Sequence, residues 1–115
     1  MKTLERHLLA AVTNYLRNLQ RHDSTLVWRK RHGSLFSTTG DPDIYGVWNG
    51  IPFEIELKRE GRNPTPLQSA RLAEWNHAGS FTAVAHSLTE FHDAIRQIKL
   101  YICPTKRNLS NTDKL

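Results

Sequence analysis

Hydrophobic positions near the start of the chain recur every three or four residues. One helical face collects Leu4, Leu8, Val12, Tyr15, Leu16 and Leu19. Because residues three and four apart lie on the same side of a helix, the pattern predicts an amphipathic helix from about Thr3 to Arg21, with Thr3 as its N-cap. The β-forming residues of segment 25–31 then predict a first strand.

Two strand-like runs in the middle of the chain, DIYGVW and IPFEIELK, are joined by Asn49-Gly50. Both turn residues tolerate the positive φ of a type I′ turn, so the sequence predicts a tight antiparallel hairpin. A two-residue turn also fixes the register of the two strands. The facing pairs are Trp48 with Ile51, Gly46 with Phe53, Ile44 with Ile55, and Asp43 with Glu56.

Side chains alternate between the two faces of this hairpin. One face is apolar and suits packing against a helix; its residues are Ile44, Trp48, Phe53, Ile55 and Leu57. The opposite face is polar and carries Asp43, Tyr45, Glu54, Glu56 and Lys58. We expect Glu54, which opposes Tyr45, to be a solvated or interface residue.

The second half of the chain predicts two helices that flank a strand. Thr65, Pro66 and Gln68 have the spacing of a capping box with proline at the first helical position, and this helix is expected to end at Gly79. Segment 80–86 predicts a fourth strand. A second capping box then opens a helix whose apolar face is Leu88, Phe91, Ile95, Ile98 and Ile102.

The resulting order of elements is α-β-β-β-α-β-α. A helix that joins the third and fourth strands implies a parallel pair inside an otherwise antiparallel sheet. We therefore expect an α/β fold with helices packed on a mixed sheet, and we expect Leu72 and Trp75 to lie in its core. Residues 1–102 are expected to form one domain, and the polar residues 103–115 a disordered tail.

Composition narrows the possible classes of protein. No apolar run approaches the ~20 residues that span a bilayer, and the N-terminal MKTLERH lacks the pattern of a signal peptide, so no membrane association is expected. Cys103 is the single cysteine, which excludes an internal disulfide and favours a reducing cytoplasm. The formal net charge of +5 is compatible with a polyanionic partner.

The facing pair Asp43 and Glu56 is the feature that points to chemistry. Two carboxylates whose Cβ atoms are ~5 Å apart repel by roughly 3 kcal/mol at an effective dielectric of about 20. A divalent cation such as Mg²⁺ converts this repulsion into chelation, and Lys58 on the same face could orient water and stabilise charge on a phosphate. The alternative is an ordinary Asp-Pro-Asp turn beside a solvated strand face, with a bulge at Gly46 that shifts the register.

These residues also resemble a known pattern. G-D-P-D at 40–43, followed by E-L-K at 56–58, is similar to the PD-(D/E)xK nuclease motif. T-P-L-Q at 65–68, with the predicted helix and strand after it, is similar to the VRR-NUC branch of that superfamily, in its compact phage and bacterial form. The resemblance covers about residues 1–90 and implies a restriction-endonuclease-like core.

The resemblance implies a role for each residue that matches the motif. The metal ligands would be Asp43, Glu56 and the backbone carbonyl of Leu57. The catalytic residues would be Lys58 beside the nucleophilic water, Glu5 from the first helix, and Gln68. Two of these positions also have a structural explanation, since Glu5 suits a helix start and Gln68 can close the capping box with Thr65.

Taken with the basic residues, the resemblance implies a Mg²⁺- or Mn²⁺-dependent endonuclease that acts as a homodimer on branched DNA such as four-way (Holliday) junctions. The candidate phosphate contacts are Arg29, Lys30, Arg31, Arg59 and Arg62, although solvated charges at strand ends would have the same appearance. Two alternatives stay open at this point. One is a non-catalytic basic DNA-binding module, and the other is a repair nuclease that cuts flaps or free ends.

Overall fold

The computed structural model describes residues 2–31 and 38–101. Its helices and strands follow the predicted α-β-β-β-α-β-α order and differ from the predicted bounds by one or two residues at most ends. The elements are α1 (Lys2–His22), β1 (Leu26–Lys30), β2 (Ile44–Trp48), β3 (Ile51–Leu57), α2 (Pro66–Ala78), β4 (Phe81–Ala85) and α3 (Leu88–Ile98). Helix α1 begins at Lys2, so Thr3 lies inside the helix and is not its N-cap.

The four strands form one mixed sheet in the order β1-β2-β3-β4. Strands β1, β2 and β3 pair antiparallel, whereas β3 and β4 pair parallel. This arrangement confirms the predicted crossover through α2. It also confirms the α/β class, because helices connect and flank a mixed sheet.

The hairpin of β2 and β3 has the predicted register. Trp48 pairs with Ile51 and the ladder continues without interruption to Ile44 and Ile55. The turn residues have positive φ angles of 51° at Asn49 and 83° at Gly50, as a type I′ turn requires. No bulge interrupts this described ladder, so the register-shift alternative is wrong.

Gly46 is required by the close approach of β1 to the hairpin. A Cβ atom at this position would lie 2.1 Å from the carbonyl oxygen of Val27 and 2.9 Å from the ring of Phe53. No larger residue fits there without moving a strand backbone. The glycine therefore allows β1 to pair closely with β2, which matters because Asp43 directly precedes this strand.

The core lies on one face of the sheet, under α1 and α3. All five residues of the predicted apolar hairpin face are buried, together with Val12 and Leu16 of α1 and with Phe91, Ala94, Ile95 and Ile98 of α3. Leu88 is an exception, since 37% of it is exposed at the start of α3. Helix α3 ends at Ile98, and Ile102 lies outside the described residues, as does the predicted tail.

Helix α2 contacts β4 and contributes no buried residue. The prediction that Leu72 and Trp75 are core residues is therefore wrong, because both are half-buried at the surface. Their helix is polar on most sides and covers only part of the sheet. Within the described residues, no helix is both long enough and apolar enough to cross a membrane.

Candidate metal centre and active site

Asp43 is held against the end of β3 by backbone hydrogen bonds. Its Oδ2 accepts a hydrogen bond of 2.8 Å from the N–H of Leu57. Its carbonyl oxygen accepts another of 2.8 Å from the N–H of Arg31. Asp43 lies one residue before β2, so the next step of the β2–β3 ladder places it beside Glu56, as the register predicts.

Glu56 is buried next to this aspartate. Only 2% of the residue is exposed, and its Oε1 has no hydrogen-bond partner among the described residues. Burial and the neighbouring Asp43 carboxylate raise the pKa of Glu56 to about 8, and nearby Lys58 opposes the shift. Burying a carboxylate oxygen without a hydrogen-bond partner costs free energy, and a bound proton or a bound cation would lower this cost.

Lys58 places a cation close to this pair. Its Nζ lies 3.9 Å from Oε2 of Glu56, and its side chain is 14% exposed. The N–H of Lys58 donates to the carbonyl of Ala85 at 3.0 Å, so β4 fixes the backbone at this point. At 3.9 Å the ammonium partly offsets the charge of the carboxylates.

A cavity of about 230 Å³ opens between α1 and the ends of β2 and β3. Its lining residues are Glu5, Arg6, Leu9, Asp43 and Leu57. The structure thus brings Glu5 to the same cavity as Asp43, 38 positions apart in the sequence, as the resemblance implies. Arg6 is exposed there, and sequence reasoning missed it. In the sequence, the placement of Arg6 at the cavity is indicated only by its position next to Glu5, because the tertiary packing of α1 decides which side chains reach the cavity.

Gln68 is placed elsewhere, as a helix cap. Its Oε1 accepts from the N–H of Thr65 at 2.9 Å, and its own N–H donates to the Thr65 hydroxyl at 3.2 Å. This confirms the capping box. Gln68 does not line the cavity at Asp43, so its catalytic role stays a prediction without a contact to support it.

The two glutamates of β3 are not on a solvated strand face. Only 4% of Glu54 is exposed, and it forms two hydrogen bonds with Arg31, of 2.6 and 3.3 Å. Burial raises the pKa of Glu54, and the bonds from Arg31 lower it. Of the two expectations for Glu54, the solvated residue is wrong, because a tertiary ion pair across the sheet allows the side chain to be buried; the interface residue stays a prediction.

The candidate phosphate contacts have different environments. Arg29 and Lys30 are exposed on β1, Arg62 is exposed, and Arg59 is half-buried. Arg31 differs from them, since its side chain is 20% exposed and already paired with Glu54. This pairing favours a structural role for Arg31, and the phosphate contacts of all five residues stay predictions.

The donor set at Asp43 suits a hard cation. In the described part of the chain, no three side chains of His, Cys, Asp or Glu come together, as a zinc site would need. Two carboxylates and a backbone carbonyl are, in contrast, typical protein ligands for Mg²⁺, which keeps several waters. The unpartnered oxygen of Glu56 shows that the pair fits such a cation.

The raised pKa of Glu56 predicts that the metal-free protein loses stability as the pH rises from about 5 to 8. The ordinary pKa of 4.5 applies to the unfolded chain, whereas the folded protein keeps this proton to about pH 8. In this window the folded state binds more protons, so the free energy of unfolding falls with rising pH, by on the order of a few kcal/mol.

Urea unfolding at both pH values in chelator measures this effect, with Glu56→Gln as the comparison. The glutamine variant should lose less stability between pH 5 and 8, since it has no proton to release. The same pH dependence in both proteins would contradict the raised pKa.

The comparisons with known proteins concern the fold. Neither the known family models nor the curated proteins include a match to this sequence. Among solved structures, a VRR-NUC domain superposes with a TM-score of 0.57 and 22% sequence identity. The match covers 81% of this chain and 96% of that domain. The chain therefore has the fold of a VRR-NUC domain, as the resemblance of its motifs implies.

Proposed function

We propose that this protein is a nuclease that hydrolyses DNA phosphodiester bonds with Mg²⁺ or Mn²⁺ as cofactor. The observation that carries the proposal is the buried pair Asp43 and Glu56, one of whose oxygens lacks a partner, beside an open cavity. The VRR-NUC fold supports the same conclusion. A DNA-binding module without catalysis would gain nothing from burying two carboxylates together, since their repulsion weakens the fold.

Asp43, Glu56 and the carbonyl of Leu57 would hold the cation. When bound, the cation supplies Lewis-acid stabilisation of the charge that develops on the phosphate. The carboxylate of Asp43 is already oriented in the metal-free protein, because one of its oxygens accepts a hydrogen bond from the N–H of Leu57. Glu56 reaches the same place from the neighbouring strand and would release its proton on binding.

Lys58 and Glu5 would act on water and phosphate. The ammonium of Lys58, close to Glu56, would orient the attacking water and stabilise negative charge on the phosphate. Glu5 at the cavity would accept a hydrogen bond from that water. The water oxygen would bond to phosphorus in line with the bond to the 3′ oxygen, which would break. The attacking water would give up a proton to Glu5 or to solvent, and the departing 3′ oxygen would take one from solvent to leave as a hydroxyl group.

Arg6 would hold a phosphate of the bound strand. Its guanidinium is exposed at the cavity that Asp43 lines, and its fork of N–H groups matches two oxygens of a phosphate. The exposed Arg29, Lys30 and Arg62 would contact more distant phosphates, and their contribution should fall steeply with added salt.

Asp43→Asn should reduce cleavage of labelled DNA by roughly 100-fold or more, because it removes a charged ligand. The asparagine oxygen can still accept from the Leu57 N–H, so the metal-free variant should be as stable as the parent or slightly more stable. Added Mg²⁺ should raise the melting temperature of the parent more than that of the variant.

The matched control is Asp93→Asn, which removes an exposed carboxylate of α3. It should leave cleavage and the Mg²⁺-dependent shift in melting temperature as in the parent. Metal-independent DNA binding with no cleavage by the parent would instead favour the DNA-binding module. Equal stabilisation of the parent and Asp43→Asn by Mg²⁺ would remove Asp43 from the ligands.

Arg6→Gln should weaken binding of DNA about tenfold, as expected for the loss of a charge-assisted hydrogen bond. The turnover rate at saturating DNA should change much less, because Arg6 binds the strand and moves no proton. Steady-state kinetics separates the two effects, with His7→Gln as the control at a neighbouring exposed position that does not line the cavity. Unchanged affinity in Arg6→Gln would exclude this contact.

We further propose that the substrate is branched and that the protein acts as a homodimer. The described part of one chain offers one candidate cation site. A four-way junction needs two nicks related by near two-fold symmetry, which a C2 dimer would supply. The +5 charge of each chain would be doubled in a dimer, giving a surface able to hold several duplex arms.

Sedimentation and mapping of the cut positions test this assembly. We expect a dimer that cuts four-way junctions in preference to linear duplex, with paired symmetric nicks. A monomer at micromolar concentration that cuts only flaps or free ends would contradict the proposal and favour the repair-nuclease alternative.

A further inference from the structure

Arg31 contacts the irregular segment that carries Asp43. Its Nη1 donates to the carbonyl of Pro42 at 2.7 Å and to Oε1 of Glu54 at 2.6 Å. Its Nη2 donates to Oε2 of Glu54 at 3.3 Å, and its backbone N–H donates to the carbonyl of Asp43 at 2.8 Å. The carbonyl groups on both sides of Asp43 thus accept hydrogen bonds from one residue.

The guanidinium is also fixed from its other sides. The ring of Tyr45 lies 4.1 Å from its central carbon, and the ring of Trp75 lies 5.3 Å away. A carboxylate oxygen of Asp41 is 4.0 Å from Nε, and its other oxygen accepts from the Trp75 indole at 3.1 Å. A planar cation with a pair of oxygens at one edge and aromatic rings beside it has little freedom to move.

We propose that Arg31 is a positioning residue for Asp43, a role that rests on the proposed metal site. Arg31 fixes the backbone on both sides of Asp43, and this keeps the carboxylate on the Leu57 N–H and beside Glu56. Glu54 has the supporting part, because its two oxygens hold the guanidinium in the orientation that reaches Pro42.

A restraint is needed here because Asp43 and Glu56 repel one another when both are charged. Asp43 lies in an irregular segment before β2, where a free turn could rotate and move the carboxylate away. Groups that orient metal ligands in this way change metal affinity by roughly 10–100-fold when they are removed.

The test compares Arg31→Lys and Arg31→Gln with the parent in two measurements that need no DNA. The first is Mn²⁺ binding by calorimetry, and the second is hydrogen exchange at the Leu57 amide in the metal-free protein.

Arg31→Gln should weaken Mn²⁺ binding roughly 10–100-fold and speed exchange at Leu57. Arg31→Lys should give a smaller loss than Arg31→Gln, because lysine keeps the positive charge beside Glu54. Some loss is still expected, since one ammonium cannot bond both oxygens of Glu54 and the Pro42 carbonyl in one plane. Glu54→Gln should reproduce the loss.

Two controls separate positioning from general stability. Ile95→Val destabilises the core on the opposite face of the sheet, and it should leave Mn²⁺ affinity unchanged. Arg96→Gln removes an exposed guanidinium, and it should change neither measurement.

The outcomes separate this role from the proposed function. The positioning role is overturned if the parent binds no Mn²⁺, or if Arg31→Gln keeps parental Mn²⁺ affinity and parental exchange at Leu57. It is also overturned if Ile95→Val weakens Mn²⁺ binding as much, at an equal loss of thermal stability. If the parent cuts no DNA while Arg31→Gln still weakens Mn²⁺ binding and speeds exchange, the proposed function fails and the positioning role stands.

Discussion

The hydrogen bond from the Leu57 N–H to the Asp43 carboxylate is the contact on which the candidate site depends. It exists only because the Asn49-Gly50 turn fixes the register of β2 and β3, and because Gly46 lets β1 approach the hairpin closely. A shift of one residue would move the side chains of β3 to the opposite face and separate the carboxylates. The geometry of the site therefore follows from a turn located at the far end of the same hairpin.

The fold must offset the free-energy cost of placing Asp43 beside the buried Glu56. The apolar face of the hairpin packs under α1 and α3, and that burial stabilises the sheet independently of the polar face. The polar face can then hold two buried glutamates, because the strands that carry them are already fixed. The stability that comes from burial on one side of the sheet offsets the cost of the buried carboxyl groups on the other.

Local signals carried most of what could be predicted from the sequence. The hairpin register, the Thr65–Gln68 capping box and the order of elements depend on neighbours within a few residues, so they could be predicted correctly. The pairing of Arg31 with Glu54 spans 23 residues, and the placement of Arg6 depends on how α1 packs, so no spacing rule shows them. Trp75 was misassigned for the same reason, since its partner Asp41 lies 34 residues away.

The contrast between Glu54 and Glu56 is the observation that most favours the proposed cation site. They lie two residues apart on one strand, on the same face, and are 4% and 2% exposed. Glu54 has an arginine that bonds both of its oxygens. Glu56 is hydrogen-bonded with Asp43 and has an ammonium 3.9 Å from one oxygen, but its Oε1 has no partner among the described residues. Since the same face satisfies one carboxylate fully, burial alone does not explain why the other is left incomplete. The proposed cation, shared with Asp43, would bind the second oxygen of Glu56 and offset the repulsion between the two carboxylates.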